Sequence, residues 1–336
     1  MGKTQIRRLL HNKVTLLVII WIIIVVFFYI LNPFYIRAQN ILILLKSSSF
    51  TGLLGLGVGM LLISGQVDLS TASVTVFSAV LISFLLGFGL PWPIAVLITL
   101  LFGVLTGVII AVFVNFFGMT SFISTIGMMS VWSGLALVIT RGNPVRYVND
   151  SFLLIGSTTI GDLIPLLFII LFVLIVFYGL LLSHTKFGRS MYMCGGNRNA
   201  ARLAGINPKR IHTILFMNCG FLSALSGVLY ASNFRRGDPV AIAIGLDAIT
   251  AAVLGGISFT GGTGGTGGFF VGLMLLSFFN NGLTAIGLSS FWQVFARGAL
   301  LILALLLDFF RENQRLKMLK TGAAETAAAK RLKGGV

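Results

Sequence analysis

The chain has 336 residues, of which 57% are hydrophobic and only 10% are charged, and its mean hydropathy is +1.02. Soluble domains carry about 25% charged residues, so this composition excludes an ordinary soluble protein and predicts one that crosses a lipid bilayer repeatedly. The net charge of +16 does not indicate nucleic-acid binding, because the cationic residues cluster at the ends of apolar segments.

Ten apolar segments follow one another along the chain. Each is close to the roughly 20 residues that a membrane-spanning helix needs, and backbone that faces lipid must be helical. The first segment is too long for the apolar part of a signal peptide, so we interpret it as a retained span. The sequence therefore predicts an all-α, polytopic transmembrane helical bundle of about ten spans. The predicted spans are residues 14–31, 41–63, 69–88, 92–116, 120–140, 163–182, 211–231, 240–256, 269–288 and 291–310.

Three basic segments set the expected orientation of the bundle. They are the N-terminus (1–13), a central loop (183–210) and the C-terminal tail (311–336), with four, six and seven Lys or Arg residues, respectively. Even numbers of predicted spans separate them, so all three lie on one side of the membrane. Loops and termini that are rich in Lys and Arg usually face the cytoplasm in membrane proteins. We therefore expect a transmembrane domain over residues 14–310, with both termini and the central loop in the cytoplasm.

Glycine patterns mark places where helices approach closely. Gly55/Gly59 and Gly103/Gly107 have the four-residue spacing that favours tight packing between membrane helices. The stretch GTGGTG at residues 262–267 formally matches a dinucleotide-binding motif, but it has no strand before it and no acid about 20 residues after it. We therefore interpret the segment Gly255–Gly268 as backbone that bends or packs tightly, which is tolerated at membrane depth only when it is buried or faces water.

The chain offers no catalytic constellation and no cluster of His, Cys or acidic residues with metal-ligand spacing, so we expect neither a catalytic nor a metal site. Two acids stand out from the others: Asp68, which lies beside an apolar segment, and Asp247, which lies deep within one. Asp68 precedes a predicted span in the sequence DLS, which is typical of a helix-capping acid. For Asp247 two interpretations remain open: a structural ion pair, with Arg297 as the candidate partner, and contact with a transported molecule.

The central loop contains a short helix of its own. Asn197 is a good N-cap, Gly205 suits the left-handed residue after the helix, and Asn207-Pro208 starts the next helix. The helix presents an apolar face and a separate basic face, so it is a candidate docking element; an ordinary positive-inside loop is the alternative. Its candidate docking residues are Arg198, Ala200, Arg202, Leu203, Ala204 and Gly205.

Five segments, in this order, resemble one family along nearly the whole chain. They are LLISGQVDLSTASV, FISTIGMMSVWSGLALVITRGNP, TKFGRSMYMCGGNRNAARLAGI, GLDAITAAVLGGISFTGG and NNGLTAIGLSSFWQVFARGALLILALLLD. Together they resemble the permease subunits of bacterial ATP-binding-cassette (ABC) importers for simple sugars of the ribose, xylose and galactose type. The wider group includes the branched-chain amino-acid permeases, and the pattern around Ser64–Ser70 resembles the sugar branch more specifically.

The resemblance implies partners and a location. The helix Arg198–Gly205 would be a coupling helix that seats on a separate cytoplasmic ABC ATPase, which would carry the ATP and Mg²⁺. The permease itself would hold no cofactor and do no covalent chemistry. An extracytoplasmic solute-binding protein would deliver the solute, and a second permease copy, identical or related, would complete the transporter in the inner membrane of a bacterium.

The chain departs from the sugar-branch pattern at four positions. Gln66 and Ala72 stand where glycines are usual. Gly245 and Thr263 stand where that pattern commonly has Glu and Arg, so both members of a possible charge pair are missing together.

The resemblance predicts inward transport of a small polar solute of the monosaccharide class along polar side chains within the spans. The candidates for this path are Asp68, Asn115, Ser130, Trp132, Asp247, Asn280, Asn281, Trp292 and Gln293, with the tryptophans as walls for a sugar face. The candidates for docking the binding protein are the cations of two outward loops, Arg141, Arg146, Arg235 and Arg236, whose alternative role is solvation. Two other functions stay open: an ABC permease for a branched-chain amino acid or nucleoside, and an ion-coupled secondary transporter, which would need ionisable groups at mid-membrane.

Overall fold

A computed structural model describes residues 13–147, 149–161, 163–240, 244–306 and 308–309, and these residues are mainly helical. The predicted basic N-terminus, apart from Lys13, and the predicted tail 311–336 lie outside the described residues. The long helices are α1 (Lys13–Leu31), α2 (Ala38–Ile63), α3 (Thr71–Gly87), α4 (Trp92–Asn115), α5 (Ser121–Thr140), α7 (Leu166–His184), α10 (Pro208–Phe234), α12 (Thr266–Ala285) and α13 (Ser290–Leu306). The shorter ones are α6 (Asp150–Ser157), α8 (Lys186–Gly196), α9 (Arg198–Leu203) and α11 (Ile244–Leu254), and a 3₁₀ turn covers Pro33–Ile36.

Each of the ten predicted spans overlaps one of these helices. Six helices are long and apolar enough to cross a membrane: α2, α4, α5, α7, α10 and α12. The other four overlapping helices are apolar over shorter stretches, which are Leu17–Leu31 of α1, Thr71–Gly87 of α3, Gly245–Leu254 of α11 and Ser290–Leu306 of α13. The all-α, polytopic fold is therefore confirmed, whereas the count of about ten crossings stays a prediction.

Helix α10 lies at the centre of the bundle and packs against α2, α3 and α4. The glycines of α4 make this possible, because a Cβ added at Gly103 would lie 2.3 Å from the carbonyl oxygen of Gly220. At Gly107 an added Cβ would lie 2.2 Å from the carbonyl oxygen of Phe216. The backbones of α4 and α10 are thus in direct contact, which confirms the predicted packing role of this glycine pair.

The glycine-rich segment between α11 and α12 is packed inside the protein. The Gly262 N–H donates to the carbonyl of Ile63 at the end of α2 (2.8 Å), and the Tyr192 hydroxyl donates to the carbonyl of Gly264 (2.8 Å). Gly261 and Gly262 have φ angles of 94° and 73°, which favour glycine. The segment is therefore bent backbone held between α2 and α8, as its composition predicts.

Two short antiparallel ribbons complete the fold. Strand β1 (Val145–Arg146) pairs with β4 (Arg236–Gly237), and β2 (Thr159–Ile160) pairs with β3 (Ile164–Pro165). Helix α6 lies between β1 and β2 in the chain and docks on the end of α10, where the Gly156 N–H donates to the Ser232 hydroxyl (2.8 Å). The two loops that carry the predicted docking arginines are thus joined to one another and to α10.

Candidate functional site

A cavity of about 500 Å³ lies between α2, α10, α11, α12 and α13. This volume suits a small molecule. The lining combines aromatic and aliphatic side chains with amides, hydroxyls and three charged groups. It consists of Ile43, Lys46, Ser47, Phe50, Thr51, Tyr230, Asn233, Phe234, Asp247, Leu276, Ser277, Asn280, Asn281, Thr284, Gln293 and Arg297.

Asp247 anchors a polar cluster on one wall of the cavity. Its Oδ2 atom accepts from Arg297 Nη1 at 3.5 Å and from Asn280 Nδ2 at 3.2 Å. Asp247 thus forms an ion pair with Arg297, which was one of its two predicted roles, and both residues line the cavity. Within the described chain, the buried Oδ1 atom of Asn280 has no hydrogen-bond donor.

Amide side chains hold the neighbouring helices in register around the cavity. Asn40 and Asn281 bond reciprocally, at 2.7 Å from Asn40 Nδ2 to Asn281 Oδ1 and 3.1 Å in the other direction. Gln293 Nε2 donates to the carbonyl of Leu288 at 2.8 Å, and the Thr284 hydroxyl donates to Gln293 Oε1 at 3.4 Å. These bonds fix the positions of α2, α12 and α13, so the lining is preorganised.

Lys46 is a cavity residue that the sequence analysis missed. It lies eight residues into α2, about 12 Å along the helix from Ala38. A lysine inside the apolar run 41–63 was the available signal, because a cation within a span is costly and usually functional.

Four of the predicted path residues meet at the cavity: Asp247, Asn280, Asn281 and Gln293. The structure places the other five elsewhere. Asn115 donates to the carbonyl of Lys209 (3.0 Å) and to the hydroxyl of Thr213 (2.9 Å), joining the ends of α4 and α10. Ser130 is on an exposed face of α5, and Trp292 is 61% exposed on α13.

Trp132 and Asp68 are also away from the cavity. The Trp132 ring packs against Phe77 and Phe102, with centroids 5.0 and 4.8 Å away, in an aromatic contact between α3, α4 and α5. The buried Asp68 Oδ1 accepts from the Ser70 N–H (2.8 Å) and the Ser70 hydroxyl (2.6 Å). These bonds form an Asx turn just before α3. The N-cap residue of α3 is Ser70, whose side chain makes no capping bond, so the structure differs from the capping role expected for Asp68 from the sequence DLS.

The predicted helix of the central loop is present as α9. Asn197 Oδ1 accepts from the N–H groups of Asn199 and Ala200, both at 3.0 Å, and Gly205 has a φ of 79°. The side chain of Asn207 caps α10, with Pro208 in its first turn. These caps confirm the predicted bounds, and α9 leaves Leu203 91% exposed while Ala201 on its other side is fully buried.

Helix α8 links α9 to the interior and was not predicted. Thr185 caps it by accepting from the Gly188 N–H (3.0 Å). An added Cβ at Gly195 would lie 1.9 Å from the carbonyl oxygen of Ile63 and 2.6 Å from the amide nitrogen of Gly262. The end of α8 is therefore in direct contact with the end of α2 and with the glycine-rich segment.

The predicted docking arginines lie on and beside the ribbon β1/β4. Arg146 and Arg236 are cross-strand partners. Arg236 also pairs with Asp238 at 3.3 Å, whereas Arg146 and Arg235 are exposed. Arg141 ends α5 and Arg235 ends α10, both in the left-handed conformation, with φ angles of 52° and 58°.

Comparison with known proteins decides the family. Residues 40–305 match the family described as branched-chain amino acid transport system / permease component. The chain is 36% identical to the ribose import permease protein of Bacillus subtilis (strain 168) over 290 residues, which cover 85% of this chain and 89% of that protein. It is also 32% identical to the L-arabinose ABC transporter permease protein of Azospirillum brasilense over 288 residues, which cover 85% and 84% of the two chains.

The chain belongs to this permease family. It is therefore a multi-pass membrane subunit of an ABC import system. A probable ABC transporter permease protein of Escherichia coli (strain K12) is 34% identical over 91% of this chain and 92% of its own length. No solved structure matches the chain.

Two of this permease's departures from the sugar-branch pattern touch one another. A Cβ added at Gly245 would lie 2.8 Å from the Cβ of Ala72. A side chain at position 245 would therefore need the space that the methyl group of Ala72 occupies. The presence of glycine at 245 and the presence of alanine at 72 are thus sterically coupled.

Proposed function

We propose that this permease moves a small polar solute of monosaccharide size into the cytoplasm by alternating access. The cavity between α2 and α10–α13 carries the proposal, because its volume and its amide and hydroxyl lining suit a molecule with several hydroxyl groups. The ribose and arabinose permeases among the relatives support the same solute class.

The proposal includes ten membrane crossings with both termini in the cytoplasm. Ten helices overlap the ten predicted spans, and the even spacing of the basic segments supports the orientation. In this arrangement the cavity belongs to the outward half of the bundle, since Lys46 is near the start of α2. Helices α8 and α9 lie beyond the other end of α2, about 25 Å from Lys46 along the helix axis.

Helix α9 is the proposed contact for a cytoplasmic ABC ATPase, which would bind ATP and Mg²⁺. Its exposed apolar residues Ala200, Leu203 and Ala204 form a small surface suited to a shallow groove, with Arg198, Arg202 and Gly205 beside it. The contacts of α8 with the ends of α2 and α11–α12 give a physical route from that surface to the cavity helices.

The ribbon β1/β4 is the proposed contact for the extracytoplasmic solute-binding protein. Arg141, Arg146, Arg235 and Arg236 give this face of the permease a positive charge, which would steer an acidic partner. The full transporter would contain a second permease, either a copy of this chain or a related one.

ATPase stimulation by candidate solutes tests the proposal. The permease, its ATPase and its binding protein would be purified together in nanodiscs, and ATP hydrolysis measured with D-ribose, L-arabinose, D-galactose and D-galacturonate, with L-leucine and adenosine as solutes of the alternative classes. We expect at least one sugar to stimulate hydrolysis severalfold through the binding protein. Stimulation by leucine or adenosine alone would contradict the assignment to sugars.

A further inference from the structure

Lys46 is a feature of the cavity that transport of a neutral sugar does not explain. Its half-buried side chain lines the cavity at membrane depth. Within the part of the chain that the structure describes, Lys46 has no hydrogen-bond or ion-pair partner. A half-buried cation without a counter-charge inside an apolar helix is unfavourable, so its presence calls for an anion that binds there.

The charges of the cavity do not balance. Lys46 and Arg297 are its cations and Asp247 is its acid, so the lining carries one net positive charge. The carboxylate of Asp247 is already engaged by Arg297 at 3.5 Å and by Asn280 at 3.2 Å. It therefore balances Arg297 and leaves the charge of Lys46 uncompensated.

The rest of the lining is suited to hydroxyl groups. The amide and hydroxyl side chains of the lining can exchange hydrogen bonds with the hydroxyl groups of a solute. The hydroxyls of Ser47, Thr51 and Ser277 line the same space. One net positive charge matches a carboxylate, which carries one negative charge, better than a phosphate monoester, which carries about −1.5 to −2.

We propose that the solute is a sugar acid: a monosaccharide-sized molecule with several hydroxyl groups and one carboxylate that pairs with Lys46. This inference rests on the proposed function and specifies the substrate class of the same cavity. Lys46 is then the residue that selects an anionic sugar over a neutral one.

Binding of two matched probes to the permease–ATPase complex tests the assignment. D-Galacturonate and D-galactose share a ring and differ in the carboxylate, and binding would be measured by calorimetry without the solute-binding protein, whose own selectivity is thereby excluded. We expect wild-type complex to bind galacturonate at least about tenfold more tightly, the gain typical of a hydrogen bond to a charged group. Lys46→Gln should abolish that preference, and Lys46→Arg should retain most of it.

Arg37→Gln is the matched control. It removes a cation near the start of the same helix, where Arg37 packs over the ring of Phe34 and does not line the cavity, so the preference should persist. Equal binding of the two probes to wild type, no binding of either probe, or an unchanged preference in Lys46→Gln would each overturn the sugar-acid assignment. If neutral sugars still stimulate ATP hydrolysis in those cases, the proposed importer function stands without it.

Discussion

At the scale of single residues, Leu203 is the sharpest test of the coupling helix. The side chain is 91% exposed, so Leu203→Asp should leave folding and membrane insertion unchanged. If α9 seats on the ATPase, the substitution places a carboxylate in an apolar contact at a cost of several kcal/mol. We expect ATPase co-purification to fall at least tenfold and solute uptake to be lost.

Asn199→Asp is the control for this prediction. It adds the same charge to the same exposed helix without removing apolar surface, and a negative charge near a helix N-terminus is favourable. Normal co-purification and uptake in Leu203→Asp would remove the assignment of α9 as the coupling helix.

The pair Asp247–Arg297 should be energetically coupled. Asp247→Asn leaves Arg297 without its counter-charge, and Arg297→Gln does the same to Asp247, so each single variant should unfold at a lower temperature than wild type. The double variant should be more stable than the sum of the single effects predicts, by about 1–2 kcal/mol for a contacting pair. Thermal unfolding of the purified permease in detergent measures this, and strictly additive effects would show that the contact has no energetic weight.

At the scale of the elements, the local signals in the sequence predicted helix ends well. Asn197, Gly205 and Asn207-Pro208 act through their own backbone neighbours, so the bounds of α9 and the start of α10 follow from the chain itself. Helix α8 was not predicted, because KFGRSMYMCGG contains three glycines and has low helix propensity. Its stability depends on the cap from Thr185 and on contacts with α2 and the glycine-rich segment, which are distant in sequence.

The ribbon β1/β4 was not predicted either, because it also depends on contacts between residues that are distant in sequence. Each strand has two residues, and the pairing joins Val145 to Gly237 across the whole central part of the chain. No periodicity exists in so short a strand. The sequence predicted that both arginine loops face outward, and the structure adds that they form one surface.

The contact between α4 and α10 predicts opposite effects for one substitution at two glycines. Gly103→Ala places a Cβ 2.3 Å from the carbonyl of Gly220 and must push the helices apart, whereas a Cβ at Gly127 in α5 meets nothing within 4 Å. Overpacking costs about 1–3 kcal/mol, while alanine in an open helical position gains up to about 1 kcal/mol. Thermal unfolding in detergent should show destabilisation by Gly103→Ala only, and equal stabilities would contradict the described packing.

The outer ribbon predicts a salt-sensitive defect in docking. Arg146→Glu with Arg235→Glu reverses two exposed charges and spares Arg236, which Asp238 holds at 3.3 Å. The concentration of solute-binding protein that gives half-maximal ATPase stimulation should rise severalfold at low salt and return toward normal as salt screens the charges. Basal ATPase activity should not change, and identical stimulation curves at low salt would exclude these arginines from the docking surface.

At the scale of the whole molecule, orientation can be tested by labelling two sites. Asn143 lies beyond α5 and Asn199 lies in α9, and both are exposed. Single cysteines at these positions, with Cys194 and Cys219 replaced, should react with an impermeant reagent from opposite sides of the membrane. Both native cysteines are buried, and burial raises the pKa of the Cys194 thiol, so their removal guards only against slow background labelling. Labelling of both sites from one side would overturn the proposed topology.

The cavity shows how far sequence could identify a site. Polarity within apolar runs singled out Asp247, Asn280, Asn281 and Gln293, and the fold gathers these four residues at one cavity. It could not predict that Asn115 and Trp132 lie away from that cavity, because the direction of their side chains depends on how α4 and α5 rotate against their neighbours. The position of Lys46 within an apolar run can be seen in the sequence alone. Only the structure shows that Lys46 lines the same cavity as Arg297 and Asp247.

The energy source of transport is the most direct test of the account. Proteoliposomes that contain the permease–ATPase complex would be supplied with the solute-binding protein and a labelled sugar, with and without ATP and Mg²⁺ on the ATPase side. We predict uptake that requires ATP, stops when the ATPase is inhibited by vanadate, and is unaffected by ionophores. Uptake by the permease alone that follows an ion gradient and persists without ATP would contradict the account.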